Sequence, residues 1–177
     1  MKLTTKQIAM TAALLAICIV SQFLKNTSVF ITGPIINACI ILAGLSTGLF
    51  CGIILSVITP ITSYIISGSP VMSAIPAIIP CVMIGNSLLV ICVCTLKNKM
   101  KNSLSLAVSM IVGCIVKALF MGIVISVILI PMLLPEQMQP KMSTFQTTFS
   151  IVQLITAAIG SVYAYIIWIP LKKQIIE

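Results

Sequence analysis

The sequence predicts an all-α integral membrane protein: one transmembrane domain over residues 1–177, folded as a bundle of six transmembrane helices with cytoplasmic N and C termini. Composition, six apolar runs and the placement of the lysines lead to this prediction. Sixty per cent of the chain is hydrophobic and 7% is charged, whereas a soluble domain carries about 25% charged residues. Such a chain cannot cover itself with a polar surface, so its solvent must be largely the lipid bilayer.

The six apolar runs are each close to the length that crosses about 30 Å of hydrocarbon. They cover residues 7–24, 29–45, 48–67, 75–96, 104–130 and 148–171. The second is short, and the stretch from Gly44 to Gly48 that follows it is either a tight turn or continuous helix, which would lower the count by one. The fifth is long and has to tilt, bend or protrude. Pro76 and Pro80 begin the fourth, so we expect a bent or irregular outer end there.

The lysines predict the orientation of the bundle. If the N terminus is cytoplasmic, seven of the ten lysines lie inside and two outside, as the positive-inside rule requires. The inside set is Lys2, Lys6, Lys97, Lys99, Lys101, Lys172 and Lys173, the outside set is Lys25 and Lys141, and Lys117 lies within a span. The net charge of +8 therefore indicates membrane orientation. We predict no nucleic-acid binding, because that function needs a basic face on a soluble fold.

The same counts exclude much enzyme chemistry. The chain has no histidine, and its two acids, Glu136 and Glu177, lie near polar ends. It therefore has no histidine triad and no carboxylate pair within the membrane for acid–base chemistry. The seven cysteines fall inside apolar runs with spacings that match no zinc site or disulfide framework. The sequence has no P-loop motif, so any use of ATP requires another subunit. We predict no enzyme activity, no cofactor and no metal site.

Lys117 is the sharpest polar signal in the sequence. It lies near the middle of the fifth span, thirteen residues from the nearest end, or about 20 Å along a helix. Its side chain reaches only about 6 Å, so it cannot snorkel to the interface. A charged lysine at the bilayer centre costs at least about 2.5 kcal/mol. We therefore expect Lys117 to face the bundle interior, where it is neutral, solvated in a wet cavity, or paired with an anion from outside the chain.

Other polar residues could converge with Lys117. Asn37, Asn86 and Gln153 lie within the second, fourth and sixth spans, where an amide either joins helices or lines a cavity. Tyr64 lies toward the outer side, and its ring either stacks on a ligand or belongs to the interfacial aromatic belt. Gln146 belongs to the polar segment 131–147, which is either an ordinary connection or a lid over an outward-facing pocket. The predicted substrate-binding residues are Lys117, Asn86, Gln153, Asn37, Tyr64 and Gln146.

The first span carries small residues at helical spacing. Ala9 with Ala13, and Ala12 with Ala16, form two offset pairs four residues apart. Small residues let helices approach closely in lipid, where association depends on packing. This face either packs within the chain or docks a second protein.

Two stretches of the sequence carry a resemblance to a known family. The basic, alanine-rich start TKQIAMTAALLA at residues 5–16, and IPAIIPCVMIGN at residues 75–86, look like parts of the substrate-specificity (S) components of energy-coupling factor (ECF) transporters. The size and the layout of six spans are similar over nearly the whole chain. The resemblance implies a vitamin pocket near the outer side, built from the later helices and the outer loops. It also implies that one transmembrane coupling subunit and two ATPase subunits drive uptake while the S component topples in the membrane.

The resemblance also assigns roles to particular residues. The family's A-x-x-x-A docking pattern falls on Ala9 and Ala13, with Ala12 and Ala16 as the offset alternative. Arginine often helps such proteins to bind acidic substrates, and because this chain has no arginine, Lys117 would take that role.

Two hypotheses of function follow. The first is a high-affinity binding subunit in the bacterial cell membrane, for uptake of a vitamin or related micronutrient that carries a carboxylate. The alternative is a structural or regulatory membrane subunit without a small-molecule ligand. The alternative accounts equally well for the small-residue faces, but it leaves a central lysine without an acid partner.

Overall fold

Helices make up every regular element that the computed structural model describes, which covers residues 3–25, 28–99 and 104–176. Six helical stretches in these ranges are long and apolar enough to cross a membrane, so the predicted fold class is confirmed. The α-helices are α1 (Thr5–Gln22), α2 (Val29–Ser46), α3 (Leu49–Ser67), α4 (Pro70–Ala74), α5 (Ile78–Lys99), α6 (Ser105–Met121), α7 (Ile130–Leu133), α8 (Met142–Phe149) and α9 (Ile151–Ile176). Some of the charged residues counted above lie outside the described residues, namely Lys2, Lys101 and Glu177. The side chains of Lys99 and Lys173 also lie outside them.

Helix α1 begins with a reciprocal cap. The Thr4 hydroxyl accepts from the Gln7 backbone N–H, and the Gln7 side chain accepts from the Thr4 backbone N–H, so two N–H groups without intrahelical partners are satisfied. The Gln7 amide also donates to the Thr47 carbonyl at 2.8 Å. This bond joins the start of α1 to the turn between α2 and α3.

The turn between α2 and α3 settles the number of spans. Helix α2 ends at Ser46, and Gly48 has a φ of +105°, a conformation that residues with a Cβ rarely adopt. The second and third spans are therefore separate helices. The fourth span starts later than its apolar run. Ile75 is extended, with φ −128° and ψ 81°, because Pro76 disfavours helical geometry in the residue before it. Helix α5 starts at Ile78.

The outer part of the fifth and sixth spans is irregular but largely helical. Helix α6 continues as a π-helical segment, Gly122–Leu129, and then as α7. A 3₁₀ helix, Glu136–Lys141, leads into α8, which ends before Ser150 and is followed by α9. The segment predicted as a polar connection or lid is thus mostly helix. The π segment gives the long fifth span wider turns, a geometry frequent at functional sites.

Helix α2 lies at the centre and packs against α1, α3, α5 and α9. Helix α9 approaches α2 closely at Gly160. A Cβ built on Gly160 would lie 2.6 Å from the Pro34 carbonyl oxygen and 2.7 Å from Asn37 Cβ. Glycine at this position therefore lets α9 reach the middle of α2, and it fixes the position of Asn37.

We expect Gly160→Ala to destabilise the bundle by about 1–3 kcal/mol, because the new methyl group would collide with backbone that cannot rotate away. The thermal unfolding midpoint in detergent should fall. Gly122→Ala is the matched control, since its Cβ would meet the nearest side-chain atom, Ser150 Cβ, at 3.6 Å. Equal midpoints for the two variants would show that α2 and α9 are not closely packed here.

Candidate functional site

A cavity of about 90 Å³ lies between α2, α3, α5, α6 and α9, toward the end of the bundle where α1 ends and α9 begins. Lys25, which the charge argument places outside, lies at this end, so the cavity is on the predicted outer side. The polar side chains that line it are Lys25, Thr32, Asn37, Thr59, Ser63, Asn86, Lys117 and Gln153. Four of the six predicted substrate-binding residues belong to this set.

Lys117 extends from α6 into the bundle interior and is only 2% exposed. Its ammonium donates to Asn37 Oδ1 at 2.6 Å. Asn37, on α2, is equally buried, and the two residues join helices that are distant in sequence. Gly85 on α5 leaves room for Met121 of α6, because a Cβ there would lie 2.8 Å from the Met121 side chain but 3.8 Å from Lys117 Cγ. An amide oxygen solvates the ammonium but leaves its charge unneutralised.

Asn86 and Gln153 complete the part of the lining that the sequence predicted. Asn86 is buried on α5 beside Gly85, and Gln153 is half-buried near the start of α9. Both line the same cavity as Lys117. With Asn37, they place three amides on three helices around one lysine, an arrangement that offers donors and acceptors to a small polar ligand.

A second lysine enters the cavity from the turn after α1. Lys25 is half-buried, and its ammonium donates to Ser63 Oγ on α3 at 2.7 Å. Burial lowers the pKa of Lys25 below its ordinary value. The charge count treated Lys25 only as an outer-loop cation, so sequence reasoning missed this contribution. The sequence feature that could have indicated this contact is the group of hydroxyl residues on the outer half of the third span, Thr59, Thr62 and Ser63.

Gln22 is a further buried polar group that sequence reasoning missed. Its amide nitrogen donates to the Thr59 carbonyl at 3.1 Å, while its Oε1 atom is buried without a hydrogen-bond partner among the described residues. Thr59 itself lines the cavity. Gln22 therefore ties the end of α1 to the wall of the cavity.

The structure places Tyr64 and Gln146 away from the cavity. The Tyr64 hydroxyl accepts from Ser73 Oγ at 3.3 Å, and its ring packs on the outer apolar cluster that includes Val71 and Met72. Gln146 forms two hydrogen bonds with Ser126 of the π segment. Its side-chain amide donates to the Ser126 backbone carbonyl at 2.9 Å, and its backbone carbonyl accepts from Ser126 Oγ at 2.8 Å. Gln146 thus fastens α8 to the π segment.

Helix α8 nevertheless contributes to the site through Phe149. This residue is buried, belongs to the outer apolar cluster and lines the cavity. Met72 from α4 belongs to the same cluster and lines the cavity as well. No residue of the segment 131–147, predicted as a connection or a lid, belongs to the described lining; α8 reaches the cavity at Phe149, just after that segment.

The lining, as far as the structure describes it, carries polar groups suited to binding. It contains two lysines, three amides and three hydroxyls, but no cysteine and no acid. Within the described ranges, no group of three or more His, Cys, Asp or Glu residues could hold a metal ion. The net charge of the lining is positive.

The alanine pairs of α1 lie on the outside of the bundle. Ala9, Ala12, Ala13 and Ala16 are all exposed in the chain as described. Larger apolar residues flank them, with Ile8 54% and Ile17 51% exposed. Within the described part of the chain this face packs on nothing, so it is available to lipid or to a second protein.

These features define a multi-pass membrane protein with a polar pocket between its helices. The chain belongs to the family described as ECF transporter, substrate-specific component, whose sequence profile matches residues 6–172. No curated protein and no solved structure matches it. The predicted resemblance is therefore confirmed, and the protein is a substrate-binding uptake subunit, not an enzyme. It works with a substrate and an ECF module. A ligand-free structural role does not agree with this family.

Proposed function

We propose that this S component captures a vitamin or related micronutrient bearing a carboxylate, and that the carboxylate binds beside Lys117. The observation that carries the proposal is a buried ammonium whose hydrogen-bond partner is a neutral amide, in a cavity whose lining contains no acid. A buried ammonium is costly unless it is paired. A ligand carboxylate would supply the negative charge that the lining lacks.

The three amides and Phe149 give the remaining selectivity for the ligand. Asn37, Asn86 and Gln153 offer hydrogen bonds to the polar atoms of the ligand, and Phe149 offers a flat apolar face. A cavity of about 90 Å³ is smaller than the roughly 150 Å³ cavity that accepts benzene. Capture of a vitamin therefore requires α8 and Phe149 to move outward, and their return would bury the ligand.

We infer that a separate ECF module, with one transmembrane coupling subunit and two ATPase subunits, energises uptake across a bacterial plasma membrane. The exposed alanine face of α1 supports this assignment, because small side chains allow the close helix approach on which association in lipid depends. The residues proposed for docking are Ala9, Ala12, Ala13 and Ala16.

Ligand-induced thermal stabilisation of the purified protein in neutral detergent tests the proposed substrate class. We expect at least one micronutrient carboxylate to raise the unfolding midpoint at micromolar concentration, and its amide, in which the charge is blocked, to fail. Each carboxylate and its amide form a matched pair of nearly equal size. Stabilisation by uncharged compounds alone, or equal stabilisation by acid and amide, would contradict the proposal.

A further inference from the structure

We infer that the substrate carries two anionic groups, and that Lys25 holds the second one. This inference rests on the proposed function and narrows its substrate class from carboxylates in general to dianions. Lys25, from the turn after α1, and Lys117, from α6, line one cavity. The described lining of that cavity contains no acid.

The position of Lys25 is fixed by contacts with α3. The backbone N–H of Lys25 donates to the Gln22 carbonyl at 3.1 Å, closing the turn after α1. The Gln22 side chain bonds the Thr59 carbonyl, and four residues further along α3 Ser63 Oγ accepts from the Lys25 ammonium at 2.7 Å. These contacts hold Lys25 against the wall of the cavity, although it belongs to an outer turn where a lysine is free to point into water.

Both ammonium groups keep donors for a ligand. A lysine carries three N–H donors, and among the described residues each of these two ammonium groups has one hydrogen-bonded acceptor, Ser63 for Lys25 and Asn37 for Lys117. Neither acceptor carries a charge. Each ammonium can therefore still donate two charge-assisted hydrogen bonds to an anionic group.

The charge balance of the cavity favours a dianion. Both lysines line one cavity, and its described lining holds no acid to balance their charges. A monoanion would neutralise one lysine and leave the other uncompensated beside the bound ligand. A ligand with two anionic groups would neutralise both.

Glutarate and its monoamide, glutaramate, are the probes that test this inference. They share a carbon skeleton and differ by one negative charge. We expect glutarate to half-saturate the thermal shift of the purified protein at a concentration about tenfold lower than glutaramate does. In Lys25→Gln the ratio between the two concentrations should fall to about one, because the second charge of glutarate no longer meets an ammonium.

Two further variants separate the charge of Lys25 from its packing. Lys25→Arg keeps the charge and should keep a preference for glutarate. Ser63→Ala keeps Lys25 but removes the hydroxyl that accepts from its ammonium, so the preference for glutarate over glutaramate should become smaller. This variant tests the inference if Lys25→Gln does not fold. Equal affinity for the two probes, binding of neither probe, or a preference that survives in Lys25→Gln would each overturn the inference.

The proposed function has a different point of failure. If carboxylates bind better than their amides but one charge suffices, the dianion inference fails and the proposed function stands. If no carboxylate binds better than its amide, the proposed function itself fails.

Discussion

Replacing Lys117 by methionine is expected to abolish substrate binding while the bundle stays folded. The ammonium is buried, and we propose that it meets the substrate carboxylate, so its removal would leave that carboxylate without a charged partner in a water-poor site. Truncating one member of a buried charge pair costs about 2–5 kcal/mol or more, which corresponds to a loss of affinity of roughly 30-fold to several thousandfold. Ligand titration of the thermal unfolding midpoint measures this loss directly.

The unliganded variant provides a second readout. Methionine fills nearly the same volume as lysine, and it removes the cost of burying an ammonium that has no acid partner. We therefore expect the midpoint without ligand to be unchanged or higher, although Asn37 loses a donor. Lys141→Met is the control, because Lys141 is an exposed lysine on the same side of the bundle. If Lys117→Met binds the substrate with wild-type affinity, Lys117 does not bind the substrate carboxylate.

The burial of Lys117 could be predicted because it depends on distance along one helix. A lysine thirteen residues from either end of an apolar run has no route to water except through the bundle interior. The number of spans and the all-α fold follow from similarly local quantities, namely run length and hydropathy. The separation of α2 from α3 could not be decided in this way, because GLSTG permits both a turn and a helix until the packing of both helices is known.

The role of Lys25 could not be predicted, because it depends on contacts between helix ends. Nothing in the local sequence shows that the turn after α1 packs against Ser63, 38 residues further along the chain. For the same reason the sequence cannot show whether the ring of Tyr64 and the polar segment that holds Gln146 reach the cavity. The structure directs Gln146 to Ser126 because the outer segment folds into a 3₁₀ helix and α8, which the polar composition of that segment did not indicate. Their contact with substrate stays a prediction.

Replacing Ala13 by tryptophan is expected to stop transport and leave substrate binding intact. Ala13 lies at the centre of the exposed alanine face of α1, and in the described chain no other helix covers it. A tryptophan at this position would therefore extend into lipid without disturbing the bundle or the cavity. It would, however, prevent close approach of a helix from the coupling subunit, which requires small side chains at the contact. Overpacking of a tight contact costs about 1–3 kcal/mol, or roughly five- to more than hundredfold in association.

Two measurements on the same variant distinguish docking from packing. Uptake of labelled substrate by cells that express the complete transporter reports coupling, and thermal stabilisation of the isolated protein reports binding. Ile166→Trp is the matched control, because Ile166 on α9 is 61% exposed and lies outside the alanine face; it should keep both activities. Loss of binding together with uptake in Ala13→Trp would mean that the alanine face supports the fold. Unchanged uptake would mean that the coupling module contacts another surface, since a tryptophan in a small-residue contact cannot be accommodated without separating the two helices.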